Sequence, residues 1–246
     1  MDSSKTEKKL VSGIKKFFIK QGKSKAVLGL SGGVDSALVL SLLVKALGER
    51  NVTAIMMPNT AVTSEKSTED ARKLAEARGV AYFVVPIDNM LAQLGELPWK
   101  QSDIAKANLG PRARAVVLYN YANSNDCLVA GTGNKSEYYM GYFTKHGDAA
   151  ADFFPIGGLL KKDVMALAKH MGVPRAIIEK APSAELWLGQ EDEKELGLKY
   201  EDLDELLPLL LSRKKIPEGK KEVAEKILVQ MKATGHKRKQ AEIILP

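Results

Sequence analysis

The feature that most narrows what this chain can fold into is a pair of glycines, Gly32 and Gly33, set between two apolar runs. Lys25 to Leu30 (KAVLGL) is short, with a Lys/Gly/Ser stretch before it and glycines after it, and this predicts a strand. Ser36 to Leu47 (SALVLSLLVKAL) is apolar almost all round, as in a helix packed deeply against a sheet. The alternation then repeats. Strands are predicted at Val52 to Met57, Tyr82 to Pro86 and Cys127 to Ala130, with helices from Ser64 to about Arg78 and from Pro111 to about Asn123. Ser64 suits an N-cap, Glu65, Glu69 and Asp70 follow where the helix dipole favours negative charge, and Pro111 suits a first helical turn. Such alternation implies an α/β fold, a doubly wound, mostly parallel sheet with helices on both faces.

The pattern changes after Ala130. Gly131 to Gly158 is rich in glycine, aromatics and charge, too polar for core and too long for an idle connection. Helices are predicted near Lys161–Met171, Pro174–Lys180, Glu201–Leu211 and Glu218–Thr234, with a loop from Ala181 to Gly197. With no repeat and no low-complexity linker, the 246 residues read as one domain with accessory N- and C-terminal helices.

Composition excludes several classes. An apolar fraction of 45% and a charged fraction of 27% are those of an ordinary soluble protein. No stretch approaches the roughly 18 apolar residues of a spanning helix, and the first residues lack an apolar signal core, so the expected location is the cytoplasm, with no membrane partner. Cys127 is the sole cysteine, so neither an internal disulfide nor a thiolate zinc cluster can form; in its apolar strand it reads as a buried small hydrophobe. The net charge of +7 suits an anionic partner, whether nucleotide, phosphate or nucleic acid.

Ser31-Gly32-Gly33-Val34-Asp35-Ser36 carries the chemistry of the first half. Adjacent glycines let the backbone approach a ligand, its N–H groups face an anion, and the helix N-terminus adds its dipole. A carboxylate, Asp35, beside phosphates requires a cation between them, which implies Mg2+. The competing reading is a plain glycine turn capped by Ser or Asp. Gly22-Lys23-Ser24 is not a Walker A end, because the first glycine of that motif would fall on Phe17 and the run precedes the strand. No G-x-G-x-x-G follows the first strand, which sets aside a hydride-transfer dinucleotide fold.

SGGxDS in this setting resembles the loop of the N-type ATP pyrophosphatases, which adenylate a carboxyl or carbonyl oxygen and then let a nitrogen or sulfur nucleophile displace AMP. The later motifs choose among them. Gly131-Thr132-Gly133-Asn134-Lys135-Ser136-Glu137 comes first, then Gly141 to Asp148 (GYFTKHGD) and Asp152. They are followed by Pro155 to Lys161 (PIGGLLK), Pro182 to Trp187 (PSAELW) and Thr234 to Arg238 (TGHKR). In this order they resemble the NAD+ synthetases over nearly the whole chain. The resemblance implies that Gly29, Leu30, Ser31, Gly32, Gly33, Val34, Asp35, Ser36 and Thr132 surround ATP, with Lys161 and Ser183 also contacting it. It implies Asp35 and Glu137 as Mg2+ ligands, and Arg112, Lys145, Asp152, His236 and Lys237 as deamido-NAD contacts. It places Asp148 beside the acyl carbon, suited to hold ammonium or take its proton. It further implies a homodimer with deamido-NAD at the subunit interface, and ammonia as the nitrogen source.

Two departures stand out: Ala149 and Ala150 replace the usual glycines, and Ser183 replaces a threonine. Taken singly, His146 and His236 read as surface histidines, Asp148 and Asp152 as turn residues, and GHKRK as a basic end; His170, on a helix, reads as structural. Three rivals are weighed. A glutamine-dependent enzyme needs a nucleophilic cysteine, which Cys127 in a strand supplies poorly. A tRNA-thiolating relative needs cysteine pairs, and nucleic acid is accordingly not expected as a partner. A nucleotide-binding regulator without turnover has no need of both Asp35 and Glu137.

Overall fold

The computed structural model describes residues 1–183, 185–187 and 189–244, so Ala184 of the PSAELW run lies outside the described residues. The first half is α1 (Ser3–Gln21), β1 (Lys25–Gly29), α2 (Val34–Leu47), β2 (Val52–Met56), α3 (Glu65–Ala77), β3 (Ala81–Val84), α4 (Asp88–Gly95), α5 (Asp103–Ala107), α6 (Leu109–Asn125) and β4 (Cys127–Ala130). The second half is helical: α7 (Lys135–Met140), α8 (Lys161–His170), α9 (Arg175–Ile178), α10 (Asp192–Leu196), α11 (Tyr200–Leu211) and α12 (Lys221–Ala233).

The strands form one parallel sheet in the order β3-β2-β1-β4. Chain order reverses between β1 and β4, so the loops leaving these two strands part at the carboxyl edge and open a crevice, the place where open α/β sheets bind ligands. Alternate residues of each strand go to opposite faces. Ala26, Leu28, Ala54 and Met56 join α1, α2, α3, α8 and α9 in one core. Val27, Ile55 and Val129 join α4 and α6 in the other. The expected two-sided sheet is therefore present, with every described strand pair parallel.

Helix α2 has no polar face because it is covered all round; Leu38, Val39, Leu40, Leu42 and Leu43 are completely buried. Each such side chain contributes roughly 1.5–3 kcal/mol relative to exposure, enough to seat a helix that has no side-chain N-cap. Helix α1 is part of this core, with Ile14 and Phe18 buried and Phe17 packed on Phe153 at 4.8 Å between ring centroids. His170, expected to be structural, ties α8 to α1 through Glu7 (2.8 Å), which Lys45 of α2 also contacts. The C-terminal helices α11 and α12 build a separate apolar cluster with Met140 of α7.

One expectation needs correction. Cys127 is half-buried, because β4 pairs with β1 on one side only and Cys127 starts it; partial burial raises its thiol above the ordinary range. On α6, Val117, Leu118, Tyr119 and Tyr121 pack against the second core, while Val116 is exposed, at 61%. Among the described residues, no helix is long and apolar enough to cross a membrane.

Candidate active site

The loop leaving β1 passes through Leu30 to Gly33 into α2, which starts two residues earlier than predicted and so puts Asp35 and Ser36 in its first turn. Gly32 has φ +81°, and a Cβ there would lie 2.3 Å from the carbonyl oxygen of Ser67 on α3. Only glycine fits. Ser31 and Ser36 shape the turn: the Ser31 amide donates to Ser36 Oγ (3.2 Å), and Ser36 Oγ donates to the Gly33 carbonyl (3.0 Å). No side chain caps α2, so its first amides remain available to an anion.

The loop leaving β4 faces this one. A Cβ on Gly131 would meet the Phe154 ring at 2.4 Å, so glycine is required for the chain to pass. Asn134 then caps α7 in a reciprocal capping box: the Glu137 amide donates to Asn134 Oδ1 (3.0 Å), and the Asn134 amide donates to Glu137 Oε2 (3.2 Å). The Asn134 side-chain amide also donates to Asp35 Oδ1 (2.8 Å). One asparagine thus fixes both carboxylates.

Lys161, 5% exposed at the start of α8, donates to Asp35 Oδ2 (2.6 Å) and Glu137 Oε1 (3.3 Å). Its backbone is held by a buried relay. Lys161 N donates to Ser136 Oγ (3.1 Å), Ser136 Oγ donates to Asp204 Oδ1 (2.5 Å), and Lys162 N donates to Asp204 Oδ2 (2.6 Å). Burial and the nearby charge of Asp35 push the Glu137 carboxyl up to about 7. Burial alone would lower the Lys161 ammonium, but the two carboxylates outweigh it and hold it above the ordinary lysine range.

These residues line a cavity of roughly 450 Å³ at the β1–β4 crevice. It contains Gly29, Leu30, Ser31, Gly33, Val34, Asp35, Ser36, Thr132, Glu137, Asp148, Lys161, Ser183 and Lys237, with an apolar wall of Ile55, Met57, Leu118 and Val129. Asp148 faces this space and is exposed to its open side; its Oδ1 accepts from Thr144 N (2.8 Å), and crowding by the surrounding protein atoms raises its carboxyl despite that donor. Lys237 donates to the carbonyls of Gly141 (2.8 Å) and Phe143 (2.9 Å), and burial lowers its ammonium.

Five predicted residues do not line the cavity, and one of them, Gly32, is buried against the Ser67 backbone within the loop itself. Arg112 is exposed on α6, and Asp152 is exposed with its Oδ2 accepting from Val129 N (2.7 Å). Lys145 and His236 lie together, Lys145 Nζ donating to the His236 carbonyl (3.1 Å). Asn134, Asp192, Asp204 and the Lys180–Glu185–Ser67 cluster are site residues that the sequence reading passed over. Asn134 had a signal, Asn-x-x-Glu, the spacing of a capping box. The others had none, because they act across elements distant in sequence.

The Asp35–Glu137 pair fits a divalent cation. Two carboxylates with a single ammonium between them form a cation-seeking centre, and phosphate oxygens would complete the shell of a hard ion. No three His, Cys, Asp or Glu side chains converge as a metal cluster among the described residues, so such an ion needs a ligand's oxygens as well.

The NAD synthase family model matches residues 6–241. The chain belongs to the NAD synthase family. An NH3-dependent NAD+ synthetase of Archaeoglobus fulgidus is 50% identical over 210 residues, 85% of each chain. Among solved structures, an NMN synthetase from Francisella tularensis is similar with a TM-score of 0.89 at 35% identity, covering 99% of both chains. The NH3-dependent NAD synthetase of Campylobacter jejuni gives 0.83 at 31%, covering both chains fully. Family membership thus extends from α1 to the basic residues after α12, and every element that builds the cavity lies within it.

Proposed function

We propose that this chain amidates deamido-NAD with ammonia at the expense of ATP, giving NAD+, AMP and pyrophosphate through an adenylated nicotinate. The observation that carries this reading is the meeting of the glycine loop, the Asp35–Lys161–Glu137 centre and Asp148 around one cavity. The glycine loop and α2 N-terminus hold the polyphosphate, and Lys161 steadies the charge that grows on the leaving pyrophosphate. Asp35 and Glu137 would hold Mg2+, which when bound would neutralise the triphosphate and polarise its α-phosphorus. A nicotinate carboxylate oxygen attacks that phosphorus and the bond to pyrophosphate breaks. Ammonia then attacks the activated carbonyl carbon, Asp148 takes its proton, and AMP leaves with the former carboxylate oxygen. Tracing carboxylate 18O tests this path. One label should appear in AMP for each NAD+ formed, and unlabelled AMP would refute adenylation of the carboxylate.

Gly32→Ala tests the loop. Alanine at positive φ costs about 1–2 kcal/mol before any clash is counted. Calorimetry should show ATP binding weakened about tenfold or more, with the remaining fold intact by circular dichroism.

Arg112, Lys145, Asp152 and His236, which lie outside the cavity, belong in this proposal with a second subunit. Arg112 and Val116 are one helical turn apart on the exposed side of α6, and Tyr119, the next turn on, reaches Asp152 (3.5 Å). This face carries apolar, cationic and anionic groups with no cover of its own, which supports a homodimer that completes the deamido-NAD site. Sedimentation at micromolar concentration should give a mass near twice 26.8 kDa; a monomer fully active on dilution would refute the shared site.

One observation favours a second reading, in which the acceptor is the mononucleotide: the likeness to the Francisella NMN synthetase over 99% of both chains. Comparing kcat/KM for the two acceptors separates the readings.

A further inference from the structure

Asp192 begins α10 and is 4% exposed, yet it lines the cavity beside the Asp35–Lys161–Glu137 centre. One carboxylate oxygen, Oδ2, accepts from the Tyr200 hydroxyl (3.0 Å), whose ring lies under the Lys161 ammonium at 5.4 Å. The other, Oδ1, is buried and makes no hydrogen bond of ordinary geometry among the described residues, the Tyr142 hydroxyl that approaches this carboxyl being donated to Glu195 (2.8 Å). A buried carboxylate oxygen left unpaired is costly and needs a compensating charge. Nearby Glu195 does not share this condition, because it accepts from Tyr142 (2.8 Å) and Gln190 (2.6 Å). Around Lys161 there are thus three carboxylates, Asp35, Glu137 and Asp192, against one ammonium. Full ionisation leaves two negative charges, the charge of one divalent cation.

We infer that Asp192 is a third acidic group of the cation site, raising affinity for the divalent ion by its charge without ligating it. It does not ligate, because these three carboxylates do not converge as a metal cluster. The inference rests on the reading of Asp35 and Glu137 as the metal pair. Asp192 is a positioning residue in this account, and its backbone also joins the site to the Pro182 run, through Asp192 N to the Pro182 carbonyl (3.2 Å).

The test is Mn2+ binding, followed by electron paramagnetic resonance with the non-hydrolysable α,β-methylene analogue of ATP bound. Asp192→Asn should weaken Mn2+ about tenfold, the order expected on removing one charge beside a divalent ion in a partly buried site. Asp192→Glu should restore affinity. Tyr200→Phe, which keeps the ring and the Asp192 charge, should stay within about twofold of the parent. Asp192→Asn binding Mn2+ as the parent does, or Asn and Glu weakening it equally, overturns the inference. If Asp192→Asn does not fold, Asp192→Ser carries the same comparison. No Mn2+ on the parent protein would refute the reading of the metal pair itself, before any variant is compared.

Discussion

Asp35→Asn and Glu137→Gln are each expected to cut NAD+ formation about a hundredfold or more, with thermal stability unchanged or improved. The opposite signs follow from the geometry. Both carboxylates are drawn around Lys161, and burial with mutual repulsion already holds the Glu137 carboxyl at about 7. Neutralising one acid relieves that repulsion in the free protein and so offsets the loss of one partner by the buried Lys161 ammonium, which keeps the other, and folding loses little. Glutamine can still accept from the Asn134 amide, so the capping box at the head of α7 survives. The same change removes half of the protein's charge toward the cation that accompanies ATP. If the acids were only caps, the pattern would reverse, with about 1 kcal/mol of stability lost and activity retained. Steady-state rates and melting curves on the same preparations decide between the two.

Asp148→Asn is expected to slow amide formation about a hundredfold while adenylation continues. Asparagine keeps an oxygen that can accept from Thr144 N, so the loop should hold its shape. What it loses is a carboxylate able to bind ammonium or take its proton, and that is idle until the acyl-adenylate exists. Deamido-NAD-dependent exchange of labelled pyrophosphate into ATP should therefore persist. Parallel loss of exchange and synthesis would move Asp148 to an earlier role in binding. The pH profile carries the same signature. Desolvation by the cavity walls raises the Asp148 carboxyl above the ordinary aspartate value of 3.8, although the residue is open to the cavity on one side. The carboxylate needed for the second step is present above that raised value and lost as pH falls through it. The acid limb of the amidation step, read by single turnover with Mg2+ saturating so that Glu137 stays ionised, should lie above the ordinary aspartate range, and Asp148→Asn should abolish it.

The parts of the molecule that local pattern dictates were readable from sequence. β4 falls at Cys127–Ala130 as predicted, and α3 has its Ser64 cap, with Ser64 Oγ accepting from Ser67 N (3.1 Å). Both depend on neighbours within a few residues. Helices α4, α5, α7 and α10, the last inside the stretch Ala181–Gly197 expected to be a loop, were not foreseen, being at most eight residues long and without a repeating apolar stripe. The phosphate loop was legible because glycine spacing is itself the constraint. Asp204 was not, since one of two adjacent acids in the apolar run LDELLPLLL gives no hint that it reaches Ser136 and Lys162 on other helices. The split between cavity residues and Arg112, Lys145, Asp152 and His236 was equally hidden, because it depends on which side of α6 and which end of the crevice each one occupies.

The most direct measurement supplies the protein with ATP, Mg2+, ammonium and either deamido-NAD or nicotinate mononucleotide, and counts every product. The account predicts NAD+ from deamido-NAD with one AMP and one pyrophosphate per turnover, at a higher kcat/KM than for the mononucleotide. ADP and phosphate as products, or amidation of the mononucleotide alone, would contradict it.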